Sequence, residues 1–203
     1  MLFTMFDVAV AGGGISVYIS NVCKSKVIHP STISLTTIET LFIETVKENY
    51  KLLNVLIYRP PGSSAILVMD KLCELLSIIT GNGYDEIISC GDFNLDILNY
   101  NNNENTLNLL NSLMSQSLIP IIITKPSPIT DQTATLIDKI FMTKLNGFVS
   151  SILISDLSDH LPLLILKQNL FTKKSAQQNT NVKYRRIDES TITNLRQSLL
   201  CLE

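Results

Sequence analysis

The sequence has no tryptophan, no closely spaced cysteines, no excess of basic residues and no uninterrupted apolar run of the ~18 residues that a membrane span needs. The missing tryptophan discriminates nothing. Each of the other absences removes a class of protein. The apolar stretch Met1 to Ala11 lacks a basic leading region and is interrupted by Asp7, so it does not read as a signal peptide. With no membrane-spanning run either, the expectation is a soluble intracellular chain, nuclear or cytoplasmic, with no membrane partner. Cys23, Cys73, Cys90 and Cys201 lack the close pairs of structural zinc sites, and three of them lie in apolar surroundings, which predicts reduced, buried thiols. Sixteen Lys and Arg against eighteen Asp and Glu leave a net charge of −2. Bulk charge therefore gives no support for a nucleic-acid partner, although a local basic groove would escape such a count. The one dense basic set, Lys173, Lys174, Lys183, Arg185 and Arg186, lies beyond the apolar segments and reads as a solvated tail.

What the sequence does contain is enough apolar character, 45% of 203 residues, for one well-buried domain with a short appendage. Ile15, Val17 and Ile19 alternate with Ser16, Tyr18 and Ser20, the period of a half-buried strand, and Gly12-Gly13-Gly14 reads as the turn into it. No Lys-Ser/Thr follows these glycines, which argues against a phosphate-cradling loop. Ile38 to Val46 and Leu52 to Tyr58 form a predicted hairpin around Lys47-Glu48-Asn49, closed by Arg59-Pro60-Pro61-Gly62. Ser63-Ser64 can cap a helix over Ala65 to Ile79 with Ile66, Met69, Leu72, Cys73, Leu76 and Ile79 on its apolar stripe, stopped by Gly81-Asn82-Gly83. A buried strand over Glu86 to Cys90 follows. Asn99 to Asn105 is a loop by composition, and Leu107, Leu110, Leu113, Met114 and Leu118 mark a second helix. Further strands are predicted over Ile119 to Thr124, Thr135 to Met142, Phe148 to Ile154 and Leu163 to Leu166. Strands grouped in hairpins with two helices between them predict a mixed or antiparallel α/β structure and disfavour a dinucleotide fold.

Two short motifs carry chemistry. Gly91-Asp92-Phe93-Asn94 ends an apolar run, and a strand ending in Asp-x-Asn projects two polar side chains the same way. Ser158-Asp159-His160-Leu161-Pro162 adds an imidazole, which titrates near neutral pH. Asp138 inside an apolar strand is hard to explain structurally, because a buried carboxylate without a partner costs several kcal/mol. Taken in order, Gly12 to Ile19, Ile57-Tyr-Arg-Pro-Pro61, Gly91 to Asn94, Leu136-Ile-Asp-Lys-Ile-Phe141 and Ser158 to Pro162 resemble the endonuclease/exonuclease/phosphatase superfamily. More narrowly, they resemble the endonuclease domain of non-LTR (LINE-type) retrotransposon polyproteins.

The resemblance implies an α/β (α+β) fold, a four-layer αββα sandwich of the DNase-I-like type, and a metal-dependent phosphodiester hydrolase that nicks DNA. It implies Mg²⁺ or Mn²⁺ as cofactor. His160 would bond the scissile phosphate or assist proton transfer, with Asp138 holding its tautomer. Asp159 would offer an oxygen to the metal. Asp92 would orient water or protonate the leaving oxygen, while Asn94 and Tyr58 would donate to phosphoryl oxygens. Thr133 would touch phosphate, and Arg59 would meet DNA phosphates.

Relatives place an Asn-bearing strand and a strand with the metal-binding Glu before the glycine strand, and eleven residues do not accommodate both. Glu39-Thr40 and Glu44-Thr45 copy the missing Glu-Thr pair superficially but belong to the later hairpin, and they read as decoys. The resulting expectation is a domain over residues 1–167, N-terminally truncated, holding its metal weakly and impaired in activity. Residues 168–203 read as a linker and short helix toward a missing reverse transcriptase. The alternatives are a non-catalytic remnant or interaction domain that keeps the fold, and a small-molecule phosphoesterase of the same superfamily.

Overall fold

The computed structural model describes residues 3–10, 13–28, 38–80, 83–123, 126–127, 134–155 and 158–168. Thr133, Cys201 and the predicted linker and tail beyond residue 168 lie outside them. The strands are β1 (Phe3–Val10), β2 (Gly13–Ser20), β3 (Lys24–Val27), β4 (Glu39–Lys47), β5 (Tyr50–Tyr58), β6 (Glu86–Asp92), β7 (Ile119–Pro120), β8 (Asp138–Met142), β9 (Phe148–Ile152) and β10 (Leu163–Lys167). The helices are α1 (Ala65–Thr80) and α2 (Glu104–Ser115). Six strands form one sheet in the order β3-β4-β5-β6-β8-β7, and β1-β2 and β9-β10 pair separately as antiparallel hairpins. Only β5 and β6 run parallel within the large sheet, joined by α1 as a crossover. The fold is mixed α/β, as the grouping of apolar runs predicts.

Side-chain alternation sorts the sheet into two faces. Phe42, Leu53, Val55, Ile57, Ile87 and Phe141 face the helices and pack with Leu72, Leu76, Leu109, Leu113 and Leu118 in the main core. Each such side chain contributes roughly 1.5–3 kcal/mol by leaving water. On the opposite face, Leu41 and Ile43 pack with Ile15 of β2, and Phe6, Val17, Leu56 and Tyr58 close around them. The β9-β10 hairpin meets this same face at its other side, where Lys167 forms a buried ion pair with Glu86 of β6.

Several local predictions shift. Ile66 is exposed, and among the described side chains of α1 Ala65, Leu72 and Leu76 are buried, while those of Met69 and Ile79 in the predicted stripe lie outside the described ones. In α2, Leu107 and Met114 face solvent while Thr106, Leu109 and Leu113 are buried, a one-position rotation of the predicted stripe. Residues read as an Asn-rich loop form a 3₁₀ helix, Ile97–Asn102, and then cap α2 through Asn103, whose side chain accepts from the Thr106 amide. The predicted strand over Ile119 to Thr124 contracts to two residues at the sheet edge, where Pro120 cannot donate to a ladder. The predicted strand over Thr135 to Met142 begins only at Asp138. β1 and β3 were not foreseen. β3 is short and carries Lys24 and Lys26, the usual chemistry of a protected edge.

Candidate active site

The site lies where β5 and β6 end and β8 begins. Backbone register places Tyr58 opposite Asp92 and Asp92 opposite Asp138, so all three leave the sheet on one face. Gly91 makes that approach possible. It has φ +142°, and a Cβ there would stand 1.8 Å from the Ile57 carbonyl oxygen, so the backbone conformation and the spacing both demand glycine. The next residue, Phe93, points to the other side and stacks edge-on against Phe141 with ring centroids 5.6 Å apart. That aromatic pair fixes the strand end from beneath.

Asn94 then leaves the strand in a left-handed conformation, φ +49°, one that asparagine tolerates. Its backbone N–H donates to Asp92 Oδ1 at 2.8 Å, and its side-chain Nδ2 donates to Asp92 Oδ2 at 3.0 Å and to the Arg59 carbonyl at 2.8 Å. Both amide hydrogens are therefore engaged. Asn94 orients the Asp92 carboxylate, where the resemblance implied a donor to phosphoryl oxygens. Burial raises the Asp92 pKa above the ordinary carboxylate value; the Asn94 amide opposes that shift and the neighbouring Asp138 charge adds to it.

Arg59 is 7% exposed. Its guanidinium donates to the carbonyls of Phe93 (2.6 Å), Ser63 (2.6 Å) and Asn94 (2.7 Å). These bonds clamp the loop that follows Asp92 onto the turn before α1. Surface contact with DNA phosphates does not fit this burial, and the expectation for Arg59 is corrected to a loop support.

Asp138 and His160 form a direct pair, with His160 Nδ1 2.7 Å from Asp138 Oδ2. The same oxygen accepts from the Ser127 hydroxyl at 2.7 Å, and that hydroxyl accepts from the Asp138 backbone N–H at 3.2 Å. Ser127 is fully buried, and its carbonyl accepts from Leu161 N–H at 2.9 Å, so it ties β8 to the histidine loop. Partial burial pulls the His160 pKa down. The hydrogen bond to Asp138 and the charges of Asp138, Asp92 and Asp159 outweigh it and hold the imidazole above its ordinary value. Ser127 went unrecognised, although its position between Pro126 and Pro128 marks a stiff loop.

Lys139 lies on the reverse face, 1% exposed, with Nζ donating to the carbonyls of Leu95 and of Ile137. Burial lowers its pKa to about 7 against the pull of Asp92, Asp138 and Asp96. A lysine between Asp138 and Ile140 in an apolar strand is a visible flag in the sequence. Asp96 Oδ1 adds another tie by accepting from the Leu136 and Leu98 amides.

Asp92, Asp138 and His160 thus converge, with one ligand atom of each lying within 4.8 Å of the others. They line a cleft of about 320 Å³ with Cys90, Ile140, Leu161 and Pro162. Asp159 falls outside the group: its side chain is exposed and accepts from the Ser158 hydroxyl at 3.2 Å. The carboxylates that the structure brings together are those of Asp92 and Asp138, whose oxygens are of the kind a hard divalent cation takes. His160 Nδ1 is already engaged by Asp138. Tyr58 stands beside Asp92 in register, and its ring packs on the Ile15, Leu41 and Ile43 cluster.

No family model matches the sequence, and no curated protein matches it either. Solved structures do. The endonuclease domain of TRAS1, a telomere-specific non-LTR retrotransposon, superposes with a TM-score of 0.63 at 14% identity over 80% of this chain and 77% of that one. AP endonuclease LMAP from Leishmania major gives a TM-score of 0.64 at 11% identity, covering 82% and 71%. D. rerio TDP2, complexed with single-strand DNA product, gives 0.53 at 12% identity, covering 79% and 75%. Such identities speak to architecture. The chain shares the DNase-I-like fold of these structures.

Proposed function

We propose that this chain is a metal-dependent phosphodiester hydrolase domain of the kind that nicks DNA for a non-LTR retrotransposon. The observation that carries the reading is the convergence of Asp92, Asp138 and His160 at the mouth of one cleft, with the imidazole already tethered through Nδ1. That tether leaves Nε2 as the nitrogen that meets a substrate oxygen. Asp138 holds the tautomer and balances the positive charge when the ring is protonated. Asp92, oriented by Asn94 and carrying a raised pKa, is suited to exchange a proton with water or with the leaving oxygen.

Asp92 and Asp138 are the residues that would hold Mg²⁺ or Mn²⁺. A bound divalent ion would supply charge neutralisation at the phosphoryl oxygens. The substrate class rests on likeness: the TRAS1 domain is the endonuclease of a retrotransposon, and TDP2 is bound to a DNA product. On the same reading residues 1–167 form the hydrolase domain, residues 168–203 a linker, and a reverse transcriptase the neighbouring part of the polyprotein. Thr133 remains a proposed phosphate contact.

Conversion of supercoiled plasmid to open circles in the presence of Mg²⁺ or Mn²⁺ tests the reading. The expected result is nicking that falls by about 10²–10⁴-fold in His160→Ala, the range for a lost general acid or base. Plasmid left intact by a folded wild-type chain would point to a non-catalytic domain instead.

A further inference from the structure

Among the polar side chains buried on the site face of the sheet, one stands apart. Glu86 is satisfied by Tyr50 and Lys167, and Asn54 by Thr45 and the Ile43 carbonyl. Glu39 is 8% exposed, yet its Oε2 has no hydrogen-bond partner. A carboxylate oxygen removed from water without a partner is costly. Its place in the sheet is equally specific. Glu39 pairs in register with Tyr58, Tyr58 with Asp92, and Asp92 with Asp138, so the four form a single row across β4, β5, β6 and β8 on one face.

No described cation is free to serve that row. Arg59 is committed to loop carbonyls, Lys139 lies on the opposite face, and Lys167 belongs to Glu86. We propose that Glu39 is the buried anchor of a divalent-cation site that runs along this row past Tyr58 toward Asp92. Strands ~4.8 Å apart put the Glu39 and Asp92 backbones about 10 Å apart, a span that two carboxylates and a hydrated ion can fill. Mg²⁺ and Mn²⁺ keep several waters and need only one or two protein carboxylates, which is what the row offers. The glutamate dismissed in the sequence as a decoy thereby becomes the residue that fixes the ion. What the cation is used for rests on the hydrolase reading above; whether it binds does not.

Titration of the full chain with Mn²⁺, followed by loss of the free-ion EPR signal, tests the site directly. Glu39→Gln keeps the volume and removes the charge, and it should weaken Mn²⁺ binding at least about tenfold. Its metal-free Tm should be no lower than wild type, because an uncompensated buried charge is gone. Glu39→Asp, with the carboxylate withdrawn by one methylene, should also bind more weakly. Mn²⁺ affinity unchanged in Glu39→Gln, no binding by the wild-type chain, or a metal-free Glu39→Gln that melts well below wild type would each overturn the site. A chain that binds Mn²⁺ through Glu39 but leaves plasmid intact sinks only the hydrolase reading. One that nicks while Glu39→Gln binds normally sinks only the cation site.

Discussion

Glu86 and Asp92 sit at opposite ends of β6 and on the same face, yet their surroundings differ in kind. At the Glu86 end, both carboxylate oxygens are matched, one by the Tyr50 hydroxyl at 2.6 Å and the other by Lys167, and the residue is 1% exposed. At the Asp92 end the carboxylate is held by Asn94 but opens on a cleft, beside another carboxylate and an imidazole. One end closes the structure. The other keeps charge close to charge with space between, an arrangement that costs stability and is kept where chemistry is done. A single strand thus separates a fully matched acid from one that opens on the cleft by six residues, and the partner supplied by the next element decides which is which.

The contrast can be broken from either side. The largest effect is expected from Asp92→Asn, which should reduce nicking by about 10²–10⁴-fold while leaving the melting temperature unchanged or higher. The direction follows from linkage. The folded pKa of Asp92 is raised, so the folded state binds more protons between the unfolded and folded values, and the ionised group opposes folding above that window. Lys167→Met should do the reverse: unfolding in urea should show about 3–5 kcal/mol lost, the usual cost of stranding a buried charge. A Lys167→Met protein as stable as wild type would remove the basis for calling Glu86 structural.

Arg59→Lys sharpens the comparison at the loop. Loss of the guanidinium bonds to backbone carbonyls should cost about 2 kcal/mol with no change in the salt dependence of DNA binding. A flatter salt slope with unchanged stability would restore the DNA-contact reading for Arg59. A pH-dependent contrast concerns Lys139. Its folded pKa of about 7 lies below its unfolded value, so the unfolded chain binds the extra proton as pH rises above neutrality. Stability should therefore climb from about pH 7 toward pH 10, and the slope should vanish in Lys139→Met.

Much of this was legible from residue order. The β4-β5 hairpin, both helices and the strand feeding Asp92 follow from period and turn chemistry, because their apolar residues recur at spacings that only one element can bury. Asp138 was legible as an anomaly, a carboxylate in an apolar strand. The rotation of the α2 stripe was not, since five leucines and a methionine satisfy more than one register until the sheet decides. The contacts of Arg59 and Asn94 were not legible for a common reason: sequence shows which groups can donate but not which acceptors the backbone brings to them. Ser127 escaped because its partner lies eleven residues away on another element. Glu39 was noticed and set aside, and only cross-strand register reveals its place in the row.

The tether between Asp138 and His160 also gives the molecule its own reporter. The chain has two histidines in 203 residues, so the Hε1 line of His160 is assigned simply by its loss in His160→Ala. Any occupant of the cleft, any shift in the aspartate's charge, will move that line.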